Sequence, residues 1–146
     1  MSSESEILAE AERQMLGGVP HAEALGFTFV SAEIGKASLR APWREDLVGD
    51  PLTGALAGGV VTALLDHVCG YSVRSVMTTP FSTATLDLRI DYMRAAAAKA
   101  DVTATAHCYK VTRSIAFVRA HAFDADPEDP IATAQAAFIL NRPDPA

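Results

Sequence analysis

A carboxylate and an imidazole stand side by side, Asp66-His67, in the middle of an apolar run. The run is Ala55 to Arg74, ALAGGVVTALLDHVCGYSVR, long enough for about five helical turns. Val60, Val61, Ala63, Leu64, Leu65, Val68 and Cys69 leave almost no polar stripe, so a helix here is buried on most sides. A carboxylate in such a helix needs a partner, a water-filled cleft or a raised pKa. Asp66 is then either a structural residue tied to a hydroxyl or an arginine, or a general base or nucleophile at the floor of a pocket. Burial would raise its pKa toward values useful for a base. Gly58-Gly59 opens the same run. Backbone N–H groups at a helix start can face an oxyanion, and glycine lets a substrate approach closely. The plainer reading of the pair is a tight turn into a crowded helix, and both can hold together. His67 reads as a core or interface histidine. Adjacent helical residues diverge, so it does not act with Asp66 inside one chain.

The rest of the chain offers little rival chemistry. There is no metal cluster, no nucleophile elbow and no phosphate loop. Cys69 and Cys108 have neither metal nor redox spacing and read as buried thiols, which fits a reducing cytoplasm. The 146 residues make one domain by default, and the hydrophobic content of 49% is high for a small monomer. Excess apolar area points to a subunit interface. A net charge of -6 argues against nucleic acid as a partner, though a local basic patch for a phosphorylated cofactor remains open. No window is apolar enough for a membrane span, and MSSESEILAEAE is too acidic for a secretion signal.

The elements that must position Asp66 follow from periodicity. Residues 3–16 form an amphipathic helix within an N-terminal segment 1–18, with Ser3 and Glu6 at capping-box spacing and Ile7, Leu8, Ala11 and Met15 on one face. Pro20 starts a short helix that ends near Gly26. Phe27 to Trp43 alternates and reads as a hairpin or bent strand turning at Gly35. Pro42 to Thr53 is a loop with a turn at Asp50-Pro51. The central helix follows, to about Met77, and Thr78-Thr79-Pro80 ends it. Four strands then run over Thr83–Arg94, Ala100–Lys110, Arg113–Asp124 and Ile131–Asn141, expected to pair as an antiparallel meander. In the first of them Leu86, Leu88, Ile90 and Tyr92 share one face, and Thr85, Asp87, Arg89 and Asp91 the other. Ala95 to Ala98 reads as a strand edge or a turn, not a helix. The charges of Asp124 to Pro130 read as a solvated hairpin tip, and residues 142–146 as a tail. One curved antiparallel sheet wrapping one long buried helix is an α+β arrangement of the hotdog type, in a single domain over 1–146.

Asp50-Pro51-Leu52-Thr53-Gly54-Ala55-Leu56-Ala57-Gly58-Gly59, with Leu64-Leu65-Asp66 at its spacing from Gly59, resembles the signature of hotdog thioesterases of the phenylacetyl-CoA thioesterase (PaaI-like) type. Asp87 to Arg94 is similar to the family's strand after the helix, and Val111-Thr112-Arg113-Ser114 to its next hairpin. The family histidine before the two glycines is Ala57 here. The resemblance implies an acyl-CoA thioesterase, with coenzyme A as part of the substrate and no cofactor or metal. It implies Asp66, Gly59 and Thr85 as catalytic residues, Thr85 standing where the family has a serine or threonine that orients water. Asp50, Ala57, Gly58, Arg113 and Ser114 become candidate substrate contacts, the last two, with Arg89, as candidates by position for the CoA phosphates. It further implies a homodimer with a continuous sheet, or a homotetramer of two dimers, with the glycine turn of one chain facing Asp66 of the other. The alternative that Ala57 favours is a non-catalytic acyl-CoA or aromatic-ligand binding protein.

Overall fold

The computed structural model describes residues 16–76 and 82–142, with positions 3, 6, 9, 10 and 13 ahead of them. Of these early positions, 6, 9, 10 and 13 are helical, as is 16. Ser3 N donates to Glu6 Oε2 at 2.8 Å, and Glu6 N to Ser3 Oγ at 3.3 Å, which is the expected capping box. The expected apolar face of Ile7, Leu8, Ala11 and Met15 lies outside the described residues, as do the breaker Thr78-Thr79-Pro80 and the tail after Arg142.

Pro20–Ala24 is the short helix α1. Strands β1 (Thr28–Glu33) and β2 (Lys36–Ala41) form the hairpin, turning at Gly35, whose φ of 78° suits glycine. The loop expected over Pro42 to Thr53 holds more structure than its polar sequence suggests. It contains a 3-10 turn, Glu45–Leu47, and the ribbon strand β3 (Val48–Asp50), which pairs with β4 (Ala55–Leu56). Helix α2 then runs Gly58–Ser75. Strands β5 (Ser82–Tyr92), β6 (Val102–Val111), β7 (Ile115–Phe123) and β8 (Ala132–Asn141) complete an antiparallel sheet. Its order is β1-β2-β6-β7-β8-β5.

That order corrects the expected meander. β6, β7 and β8 are consecutive neighbours, but β5 pairs with β8 at the far edge. The reason is the connection at 93–101. Arg94 is anchored there by Asp124 and Asp129, Ala97 N by the Asp124 carboxylate, and Lys99 N by the Gly54 carbonyl. The chain thereby crosses from the β5 edge of the sheet to its interior, where β6 enters beside β2. Asp124 is thus not part of a merely solvated tip. Its carboxylate is 6% exposed and lies 2.7 Å from the Arg94 guanidinium.

The sheet wraps α2, the expected α+β hotdog arrangement. Leu64, Leu65, Val61, Val68 and Val73 of the helix are almost wholly buried. The sheet meets them with many small residues, Ala37, Ala104, Ala106, Ala116, Ala120, Ala122, Ala132, Ala134 and Ala136, set among the larger Leu39, Val102 and Val118, all buried. Large side chains on the helix and small ones on the strands let the two layers approach closely. Gly70 continues the theme, since a Cβ there would sit 3.4 Å from the Phe138 ring. Each buried Leu or Val of α2 contributes roughly 1.5–3 kcal/mol by leaving water. Among the described residues no helix is long and apolar enough to cross a membrane.

Candidate active site

Asp66 lies halfway along α2, and it is half-buried rather than sealed in the core. Its Oδ1 accepts a hydrogen bond of 2.7 Å from the Thr85 hydroxyl on β5. It also lines two small clefts. One, of about 220 Å³, is shared with Gly70, Tyr71, Thr85 and Phe138, and the other, of about 110 Å³, with Ala22, Phe27 and Ala63. The carboxylate therefore has both a hydroxyl partner and access to water, two of the conditions that an acid in an apolar helix requires.

Thr85 reaches Asp66 because β5 is not regular. Strict alternation puts Thr85 on the face opposite Leu88. In the structure Thr85 pairs with Phe138 and Asp87 with Ala137, so Leu86 is an extra residue in a β-bulge. The bulge shifts the phase by one. Thr85 joins Leu88 and Ile90 on the helix side, while Leu86, expected beside them, is 58% exposed. The expected division of the strand faces is corrected at these two residues.

The neighbours of Asp66 are quiet. Cys69, fully buried on the same helix, has its thiol pushed up to about 12, by burial first and then by the nearby Asp66 and Cys108. It stays protonated and does not serve as a nucleophile. Burial also raises the Tyr71 phenol, with Arg74 opposing. His67 turns its ring toward Phe27, with centroids 6.5 Å apart.

The glycine pair opens α2 behind Ala57, whose extended backbone (φ -60°, ψ 144°) makes it the N-cap. Ala57 offers no side-chain cap, and the first bonds onto its carbonyl come from Val60 and Val61. The N–H groups of Gly58 and Gly59 have no carbonyl one turn back to meet. A Cβ on Gly59 would find nothing within 4 Å, so crowding does not explain this glycine. Gly58 is held from its carbonyl side by Tyr92, whose hydroxyl donates to Gly58 O at 2.8 Å and bonds Thr62 Oγ1. Tyr92 is the residue that sequence reasoning missed, having counted it only as one of an apolar strand face. The spacing Gly58–Thr62, one helical turn, was the available signal.

The structure brings Asp66 and Thr85 together and keeps the remaining candidates apart. Gly59 is seven residues before Asp66 on one helix, about 10 Å along its axis. Asp50 stands beside the glycine turn, but its carboxylate accepts from Leu52 N at 2.9 Å and so closes its own turn. Arg113 and Ser114 are exposed on the β6–β7 hairpin, where the Ser114 carbonyl accepts from Leu140 N. They lie at the sheet end where β5 begins, opposite the end where Tyr92 meets the helix start.

Residues 53–131 match the family model described as the thioesterase superfamily. A crystal structure of a protein from Pseudomonas aeruginosa superposes with a TM-score of 0.80 at 38% identity, over 89% of this chain and 96% of that one. A mutant of the phenylacetic acid degradation protein PaaI from Thermus thermophilus gives 0.71 at 25% identity, over 82% and 97%. The E. coli PaaI protein from the phenylacetic acid degradation operon gives 0.78 over 94% and 95%, but at 18% identity that likeness speaks for the fold alone. No curated protein matches the sequence.

Proposed function

The chain belongs to the thioesterase superfamily, and from that premise we propose that it hydrolyses an acyl-CoA to the free acid and coenzyme A. The observation that carries this reading is Asp66, a carboxylate fixed by the Thr85 hydroxyl at 2.7 Å and open to clefts on both sides. Among the described residues its Oδ2 accepts no hydrogen bond, which leaves that oxygen for water. In the proposed reaction Oδ2 takes a proton from a water whose oxygen bonds the thioester carbon. The carbonyl electron pair moves onto oxygen, to which a Gly59 N–H donates a hydrogen bond. The intermediate collapses, the C–S bond breaks, and the CoA thiolate takes the proton back from Asp66. Thr85 keeps the carboxylate oriented.

An oxyanion donor must lie about 3 Å from the developing charge. Gly59 and Asp66 of one chain are about 10 Å apart. The reading therefore pairs Asp66 of one chain with Gly59 of a second. β5 is an edge of the sheet and exposes Leu86 and Tyr92, with Met93 just after it, each at least half accessible. An apolar edge strand is a template for a further strand, which supports a homodimer with a continuous sheet and, beyond it, a tetramer of two dimers. Arg113 and Ser114 remain the candidates for meeting the CoA phosphates.

Ala57 favours a second reading, a protein that binds acyl-CoA or an aromatic ligand without cleaving it. Release of free thiol from a panel of acyl-CoAs, measured beside direct binding, separates the two. Thiol release supports the thioesterase. Tight binding with no release supports the binding protein, and the absence of both removes each of them.

A further inference from the structure

The outer face of the sheet, turned away from α2, holds a second concentration of charge. Lys36 on β2 pairs with His107 on β6, His107 with Arg119 on β7, Arg119 with Gln135 on β8, and Gln135 with Arg89 on β5. One transverse row thus carries three permanent cations and an imidazole, and its one acid is Glu33, opposite Lys36 at the β1 end. His107 and Gln135 separate the three cations, so none of them stands directly opposite another. In a chain of net charge -6, such a row is not the expected average. The next row is Ser38, Thr105, His121, Thr133 and Asp91, rich in hydroxyls.

A groove of about 910 Å³ lies over both rows, walled by Pro127, Glu128 and Pro130 of the β7–β8 connection. The sheet separates this groove from Asp66. Arg119 lies over the Tyr109 ring at 4.2 Å, which orients the guanidinium. Arg89 meets Asp91 at 3.3 Å, whereas Lys36 and Arg119 have no carboxylate partner among the described residues. Asp91 and Glu128 are the acids at its margin.

We propose that this groove binds a small polyphosphate-bearing anion, with Lys36 and Arg119 as its main contacts and the Thr105 and Thr133 hydroxyls beside them. Lys36 and Arg119 are two strand spacings apart, about 10 Å. A chain of phosphates bridges that span and a single phosphate does not. Arginine holds phosphate oxygens in pairs, lysine as a point charge. A second copy laid on this face about a two-fold axis through the row would set cations against cations. The charge pattern therefore favours an anion over self-association.

The test is calorimetry on the 146-residue chain at low ionic strength. Inorganic tripolyphosphate is expected to bind one per chain and more tightly than inorganic phosphate, with affinity falling as salt is added. The double variant Lys36→Gln, Arg119→Gln is expected to bind at least tenfold more weakly at unchanged circular dichroism and unchanged thiol release. Arg89→Gln, a milder single change at the far end of the row, is expected to bind a few-fold more weakly, and it stands in if the double variant does not fold. ADP and coenzyme A as competitors identify the source: displacement by both assigns the site to pyrophosphate carriers, and displacement by neither to free polyphosphate. No binding at millimolar tripolyphosphate overturns the proposal, as does full affinity in the variants. Arg119→Glu that changes oligomeric mass and leaves tripolyphosphate binding intact also overturns it, in favour of a copy-to-copy interface.

Discussion

The Thr85 hydroxyl donates to Asp66 Oδ1 across 2.7 Å, joining the edge strand of the sheet to the middle of the helix it wraps. A hydrogen bond to an ionised acceptor is stronger than one between neutral groups. It fixes one carboxylate oxygen and presents the other to the cleft.

Asp66→Asn keeps the size of the side chain and an oxygen for Thr85. The variant is expected to fold, to retain its oligomeric mass and to bind substrate, while kcat falls at least about a hundredfold. Steady-state kinetics on the best acyl-CoA decide it. A near wild-type rate would sink the catalytic assignment, and failure to fold would make Asp66 structural.

Thr85→Val removes the hydroxyl and preserves the β-branched shape. The expected loss in kcat is roughly tenfold, the order of one hydrogen bond to a charged group, with KM little changed. Thr85→Ser restores most of it. Equal losses in Val and Ser would mean that packing, and not the hydroxyl, matters here.

If the site is shared, two inactive chains can repair each other. Gly59→Pro deletes one N–H in the first helical turn, where proline is tolerated and where a Cβ meets no atom within 4 Å. Refolding it with an equal amount of Asp66→Asn should return about a quarter of wild-type activity, because half the dimers then own one intact site. Mixtures no more active than their parts would rule out the shared arrangement.

Ala57 is a poor N-cap, which leaves the first N–H groups of α2 free. Ala57→Ser should raise unfolding free energy by about 1 kcal/mol in urea. The same hydroxyl competes with substrate for those donors, so kcat/KM should fall. Ala57→His, which returns the residue of the resembled family, should raise kcat/KM instead. A serine variant that gains stability and loses no activity would show that the donors are not used.

Asp124 supplies a pH dependence of stability. Arg94 holds its carboxyl well below the ordinary value of 3.8, with the N–H groups of Ala97 and Ala125 adding to the effect against burial. For a lowered acid, the stabilisation is complete above the unfolded value and is lost as pH falls below it toward the folded value. Asp124→Asn should melt several degrees lower at pH 7, and the gap to wild type should narrow below about pH 4. A constant gap across that range would mean that the ion pair is not the cause.

Asp66 was legible in the sequence because a lone acid in an apolar helix has few reasons to exist, and the strands because alternation is a local property. The phase shift at Leu86 was not, since a bulge inserts one residue without altering composition. The pairing of β5 with β8 was equally hidden. It depends on Arg94 finding Asp124, thirty positions later, and no local pattern records that contact.

The alanine floor of the sheet limits what the protein can accept. With the helix pressed against a floor of alanines set among Leu39, Val102 and Val118, the two layers stand close together. On the proposed thioesterase reading, the acyl group is housed at the perimeter of α2, beside Phe27 and Ala63 or beside Gly70 and Phe138. Substrate preference is then a trait of a few rim positions that can drift without touching the core. Enlarging an alanine of the floor would change how far the helix stands off the sheet, and with it both clefts at once.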